Sequence, residues 1–110
     1  MIRVYSLREI AAEKAVALID KARNEPRDLY DFWYLAEHGH INLNELTSPI
    51  ARKLAFRGQD VKSLQRQLAA KEQRLRALWS PRLAGQMATL PEFDGVFRAV
   101  RRAFREARIG

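Results

Sequence analysis

Three side chains in the first third of the chain have the types and spacing to form one charged site: Lys14, Asp28 and Asp31. An ammonium and carboxylates brought together in a cleft of low dielectric hold one another strongly. Asp28 and Asp31 lie one turn apart if the segment is helical, and Arg27 reaches Asp31 at the (i, i+4) spacing. On a projection of about 100° per residue, Lys14 falls inside an apolar stripe of Leu7, Ile10, Ala11, Ala17 and Leu18. A lysine there must snorkel outward, pair with a carboxylate or stand at the floor of a cleft. A plainer reading also covers these residues. Asp28 near a helix start favours the macrodipole, and Arg27 with Asp31 is an ordinary surface pair.

The elements that must position these groups read as helical nearly throughout. A short extended piece, Ile2 to Tyr5, leads to Ser6, an N-cap with Glu9 as its capping-box partner. The first helix is expected from about Leu7 to Arg23, ending before Asn24-Glu25-Pro26. The second starts near Arg27 and stops at Gly39. A third unit spans Leu43 to Phe56, with Ser48-Pro49 able to restart the helix and Arg57-Gly58 to end it. Asp60 is a cap for a fourth helix from Val61 to about Trp79, which Ser80-Pro81 is expected to break. A last helix after Leu90-Pro91 runs to about Ala107, with Phe93, Val96, Phe97, Val100 and Phe104 on one face. The expected fold is all-α: one domain over residues 1–110, a bundle of about five helices with a short N-terminal extended segment.

Charge divides the chain unevenly. Residues 1–50 carry 6 Lys/Arg against 8 Asp/Glu, whereas residues 51–110 carry 14 against 5. Such asymmetry points the second half at a polyanion: nucleic acid, nucleotide phosphates or an acidic protein. Arg98, Arg101, Arg102 and Arg105 form a ridge on one flank of the last helix, suited to tracking a phosphate backbone. The alternative is a solvated face opposite the Phe stripe. His38 and His40 bracket Gly39, but no acidic or Cys ligand follows at useful spacing, so no metal site is expected. The chain has no cysteine, which excludes disulfides and thiolate metal sites. No signal sequence and no run of ~20 apolar residues is evident, so a cytoplasmic, non-membrane setting is expected.

The run Val4-Tyr5-Ser6-Leu7-Arg8-Glu9-Ile10-Ala11-Ala12-Glu13-Lys14, followed by Arg27-Asp28-Leu29-Tyr30-Asp31-Phe32-Trp33-Tyr34-Leu35, resembles the C-terminal helical part of the AbiEii/AbiGii nucleotidyltransferase toxins. That family, of the DNA polymerase β-like superfamily, is known from phage defence and toxin–antitoxin systems. Its helical part carries a Glu-Lys-x-x-Ala helix and then an Arg-Asp-x-x-Asp helix. Both stand here, as Glu13-Lys14-Ala15-Val16-Ala17 and Arg27-Asp28-Leu29-Tyr30-Asp31. The resemblance rests on residues 4 to about 37. It implies phosphate contact by Lys14, catalytic support by Asp28, and Asp31 and Arg27 beside them. It also implies an antitoxin partner and tRNA or another nucleic acid as acceptor.

The family's N-terminal palm supplies a Gly-Ser phosphate loop and paired carboxylates that bind Mg²⁺. This chain has no Asp-x-Asp pair, and its glycines are scattered. The expectation is a chain that lacks the palm, is inactive in isolation, and needs that palm or a partner chain. Mg²⁺ and a nucleoside triphosphate are implied for the complete enzyme only. Self-association through the surface a palm would cover is a further expectation.

Overall fold

The computed structural model describes residues 4–39 and 41–110. These fold into six α-helices with no strand among them: α1 Val4–Leu18, α2 Pro26–Glu37, α3 Thr47–Phe56, α4 Leu64–Ala70, α5 Glu72–Leu83 and α6 Phe93–Glu106. Single 3₁₀ turns at Leu43–Glu45, Val61–Ser63 and Ala84–Gln86 connect them. The bundle is thus all-helical, as expected, with one helix more.

The extra helix comes from the fourth segment. Asp60 does cap its start, accepting from the Lys62 amide at 2.9 Å, but a 3₁₀ turn precedes α4 and the helix breaks at Lys71. Pro81 does not end α5, which continues to Leu83. Proline removes one ladder bond and crowds the preceding turn, yet Trp79 and Leu83 on either side of it are buried and anchor that turn.

The N-terminal expectation is corrected as well. Val4 and Tyr5 are helical, so Ser6 lies inside α1 and does not cap it. The rest of the expected extended piece, Ile2 and Arg3, lies outside the described residues, as does His40. At its other end α1 stops at Leu18 instead of Arg23. There the Asp20 carboxylate accepts from the Ala22 amide at 2.9 Å, a local bond that competes with helix continuation.

α2 is the centre of the molecule. It starts with Pro26 at its first turn, capped by Glu25, and Gly39 ends it with φ 70°. It packs against α1, α5 and α6. Phe32 of α2 stacks on Phe104 of α6 with ring centroids 4.9 Å apart. All five apolar positions of the α6 stripe are buried. α1 is covered on two sides, by α2 and α3, and Ala11, Ala12, Ala15, Val16 and Leu18 are buried on it, with Ile19 buried just beyond its end. Ile10, expected inside, is 46% exposed, and Lys14 therefore sits at the edge of the buried face.

Candidate functional site

Lys14 projects from α1 toward the N-terminal end of α2. Its ammonium lies 2.9 Å from Asp31 Oδ2 and 3.5 Å from Asp28 Oδ1. The three residues singled out from sequence are therefore brought together, and the short turn between α1 and α2 does it. Asp28 is 2% exposed. A carboxylate so buried needs cations and donors around it, and it has two, Lys14 and Arg23. Arg23 comes from the turn and binds Asp28 Oδ2 at 2.6 Å through Nε. Arg27 donates to Asp31 Oδ1 at 2.9 Å and to Gln86 Oε1 at 2.8 Å. The site is an alternating row of charges: Arg23, Asp28, Lys14, Asp31, Arg27.

Burial pulls the Lys14 ammonium toward its neutral form, but the hydrogen bond to Asp31 and the charges of Asp31 and Asp28 outweigh that, and its pKa is raised. Lys14 is thus a fixed cation at neutral pH. It lines an open groove of about 350 Å³ with Ile10, Arg27, Tyr30, Asp31, Tyr34 and Leu35. Two cations and the Asp31 carboxylate between them therefore stand at a mouth that is otherwise apolar and aromatic. Such a groove accommodates an anionic group beside a flat one.

Arg23 escaped the sequence reading because it was expected on the first helix. Lys71 escaped it altogether. This lysine is 8% exposed and donates to the carbonyls of Leu18 (2.5 Å), Asp20 (2.9 Å) and Arg23 (2.5 Å). It thereby closes the C-terminal end of α1, whose last carbonyls have no partner in the helix. Burial lowers its pKa below the ordinary lysine value. By fixing the turn, Lys71 fixes Arg23, and through Arg23 the carboxylate that faces Lys14. Only a lysine on an otherwise apolar face could have hinted at it.

Three of the four arginines singled out on α6 share one groove. Arg98, Arg101 and Arg105 line a groove of about 210 Å³, and Arg102 stands outside it. Glu72 and Asp94 line the same groove. His38 ends α2, its ring 4.1 Å from that of Tyr34 and stacked on it. Among the described residues no three His, Asp or Glu side chains gather to hold a metal. Asp28 and Asp31 do not fit a Mg²⁺ pair, because cations already occupy both. No described helix is long and apolar enough to cross a membrane.

No curated protein and no solved structure matches the chain. The family model of the nucleotidyl transferase AbiEii toxin, type IV TA (toxin–antitoxin) system, matches residues 1–107. The match runs well past the two motifs around Lys14 and Asp28 and takes in the basic helices that follow. The chain therefore belongs to the AbiEii nucleotidyl transferase toxin family.

Proposed function

We propose that this chain is the nucleotide-facing helical part of a nucleotidyl transferase toxin. Lys14 and Arg27 contact the phosphates of a nucleoside triphosphate, Asp28 holds Lys14 in place for catalysis, and Asp31 sets the distance between the two cations. The observation that carries this reading is the Lys14 ammonium, fixed between Asp28 and Asp31 at the mouth of a groove. A phosphate arriving there replaces part of the carboxylate contact without any change of protonation, and meets cations whose positions are already set. The reading assigns Mg²⁺ and the phosphate loop to a palm unit, whether covalently joined or on a partner chain. An antitoxin is the regulatory partner implied by the family.

The test is titration of the isotopically labelled chain with ATP, CTP, GTP and UTP, followed by backbone amide shifts. Shifts clustered at Lys14, Arg27 and Asp31 support the reading. Their absence there for all four nucleotides overturns it. The purified chain without a palm is expected to show no Mg²⁺-dependent labelling of RNA.

A second reading is favoured by the α6 arginines: among the described residues Arg98, Arg101, Arg102 and Arg105 have no ion-pair partner. It makes the chain a basic helical module for nucleic acid or an acidic protein, with Lys14 purely structural. Retention of nucleotide-induced shifts in a Lys14→Met variant would favour it.

A further inference from the structure

A groove beside α4 has no carboxylate in its lining. It lies between the α1–α2 turn and α4, encloses about 570 Å³ and is lined by Lys21, Asn24, Arg66, Gln67, Lys71 and Arg74 together with Ile19 and Ala70. Lys21, Arg66 and Arg74 are exposed, and among the described residues none of them has an ion-pair or hydrogen-bond partner. Eight other cations of this molecule are matched, whereas Arg52, Lys62, Arg108 and the α6 arginines, like these three, have no ion-pair partner among the described residues. Arg8, Lys14, Arg23, Arg27, Lys53, Arg57, Arg76 and Arg82 each lie within ion-pair distance of an Asp or Glu.

We propose that this groove binds the phosphodiester backbone of a nucleic acid. Three points support that ligand over a single small anion or an acidic protein. The cations face one concave surface with no internal counter-charge, so the field they set up is unbalanced and focused. The buried Lys71 ammonium adds charge beneath them, its three donors already spent on carbonyls, so it contributes field and not contact. The groove also continues. Asn24 and Arg74 also line a second one of about 590 Å³ with Arg23, Arg82 and Glu25. Arg23 and Arg82 are there matched by Asp28 and Glu25, so the path runs on past one anion while its unmatched charge stays at Lys21, Arg66 and Arg74. No aromatic ring lines either groove, so bases have nothing to stack on and the contact is to backbone phosphates without sequence preference. The ridge on α6 is the poorer candidate, because Glu72 and Asp94 face the same groove as its arginines.

The test is fluorescence anisotropy of a labelled single-stranded RNA of about 12 nucleotides with three proteins. These are the parent chain, the Lys21→Ser/Arg66→Ser/Arg74→Ser variant, and the Arg98→Ser/Arg102→Ser/Arg105→Ser variant. Thermal melts check that each is folded, and Arg66→Glu alone replaces the first variant should it not fold. The groove variant is expected to bind about tenfold more weakly or worse at roughly 100 mM salt, with a salt slope shallower by about two. The ridge variant is expected to stay within about threefold of the parent. Polyglutamate of equal charge is expected to compete poorly. The proposal is overturned by a parent chain that does not bind RNA, by a groove variant with unchanged affinity and slope, by a larger loss in the ridge variant, or by polyglutamate competing as well as RNA. These outcomes are independent of whether nucleotides shift the amides around Lys14.

Discussion

Arg23 grips Asp28 through both carboxylate oxygens, Nε to Oδ2 at 2.6 Å and Nη2 to Oδ1 at 3.3 Å. The carboxylate that faces Lys14 is therefore held more closely from a turn than from the neighbouring helix, whose Lys14 stands 3.5 Å away. Asp31 likewise keeps its own arginine, Arg27, at 2.9 Å. Removing Lys14 consequently strands neither carboxylate. Lys14→Met is expected to cost only about 1 kcal/mol in a urea melt, well below the loss that follows when a buried charge is left bare. A cost of about 3 kcal/mol or more would mean that Lys14 is the main support of Asp28.

The same geometry predicts coupling. Arg23→Ala alone leaves Asp28 with Lys14 at 3.5 Å, and Lys14→Met alone leaves it with Arg23. Both together leave a carboxylate of 2% exposure with no cation. The double variant is expected to lose more stability than the two single losses added, and a double-mutant cycle by denaturant unfolding reads this directly. Simple additivity would contradict the arrangement.

The raised Lys14 pKa sets a pH dependence. The folded state holds this proton more tightly than the unfolded chain, so the stabilisation is complete below the ordinary lysine value of 10.5. It is lost as pH rises through the higher folded value. The stability difference between the parent and Lys14→Met should be flat from neutral pH to that point and shrink above it. A difference that shrinks on acidification from pH 9 to 7 would have the wrong sign for this pairing.

Lys71→Met removes a buried ammonium of similar length and leaves the carbonyls of Leu18, Asp20 and Arg23 without their donor. Relief of the desolvation of Lys71 offsets part of the loss. A net destabilisation of about 2 kcal/mol is expected, accompanied by faster amide hydrogen exchange in residues 19–25. Unchanged exchange in that turn would show that Lys71 is not what fixes it.

Pro81→Ala restores an amide in the last turn of α5. Because the backbone is already helical there, the ladder bond can form without rearrangement. A gain of about 1 kcal/mol in thermal unfolding is expected. A loss would mean that the rigidity of the proline ring outweighs the missing bond.

α2 and α6 were legible in the sequence because their signals are local. Pro26 and Gly39 bracket the first, and the Phe93-to-Phe104 stripe fixes the buried face of the second. The meeting of Lys14 with Asp28 and Asp31 was legible in outline, since a short turn makes α1 and α2 neighbours. What was not legible depends on contacts between distant segments. α1 stops at Leu18 because the Asp20 turn and Lys71, far along the chain, take over its last backbone groups. Arg23 then leaves the helix that periodicity had assigned to it and becomes available to Asp28. Pro81 reads as a breaker by itself, yet two buried neighbours carry the helix through it. The groove of Lys21, Arg66 and Arg74 joins residues from two segments that nothing in the sequence pairs.

The enclosure of Lys71 also has a chemical consequence. An amine is acylated when its lone pair attacks the carbonyl of the reagent and expels the leaving group, and this nitrogen offers no lone pair while its three protons point at carbonyls. Lys71 is thus shielded from amine modification in the native protein although its pKa is lowered, a change that would by itself favour reaction. Its rate of acylation, followed by mass spectrometry beside exposed Lys21 and Lys62, becomes a clock for transient opening of the α1–α2 turn.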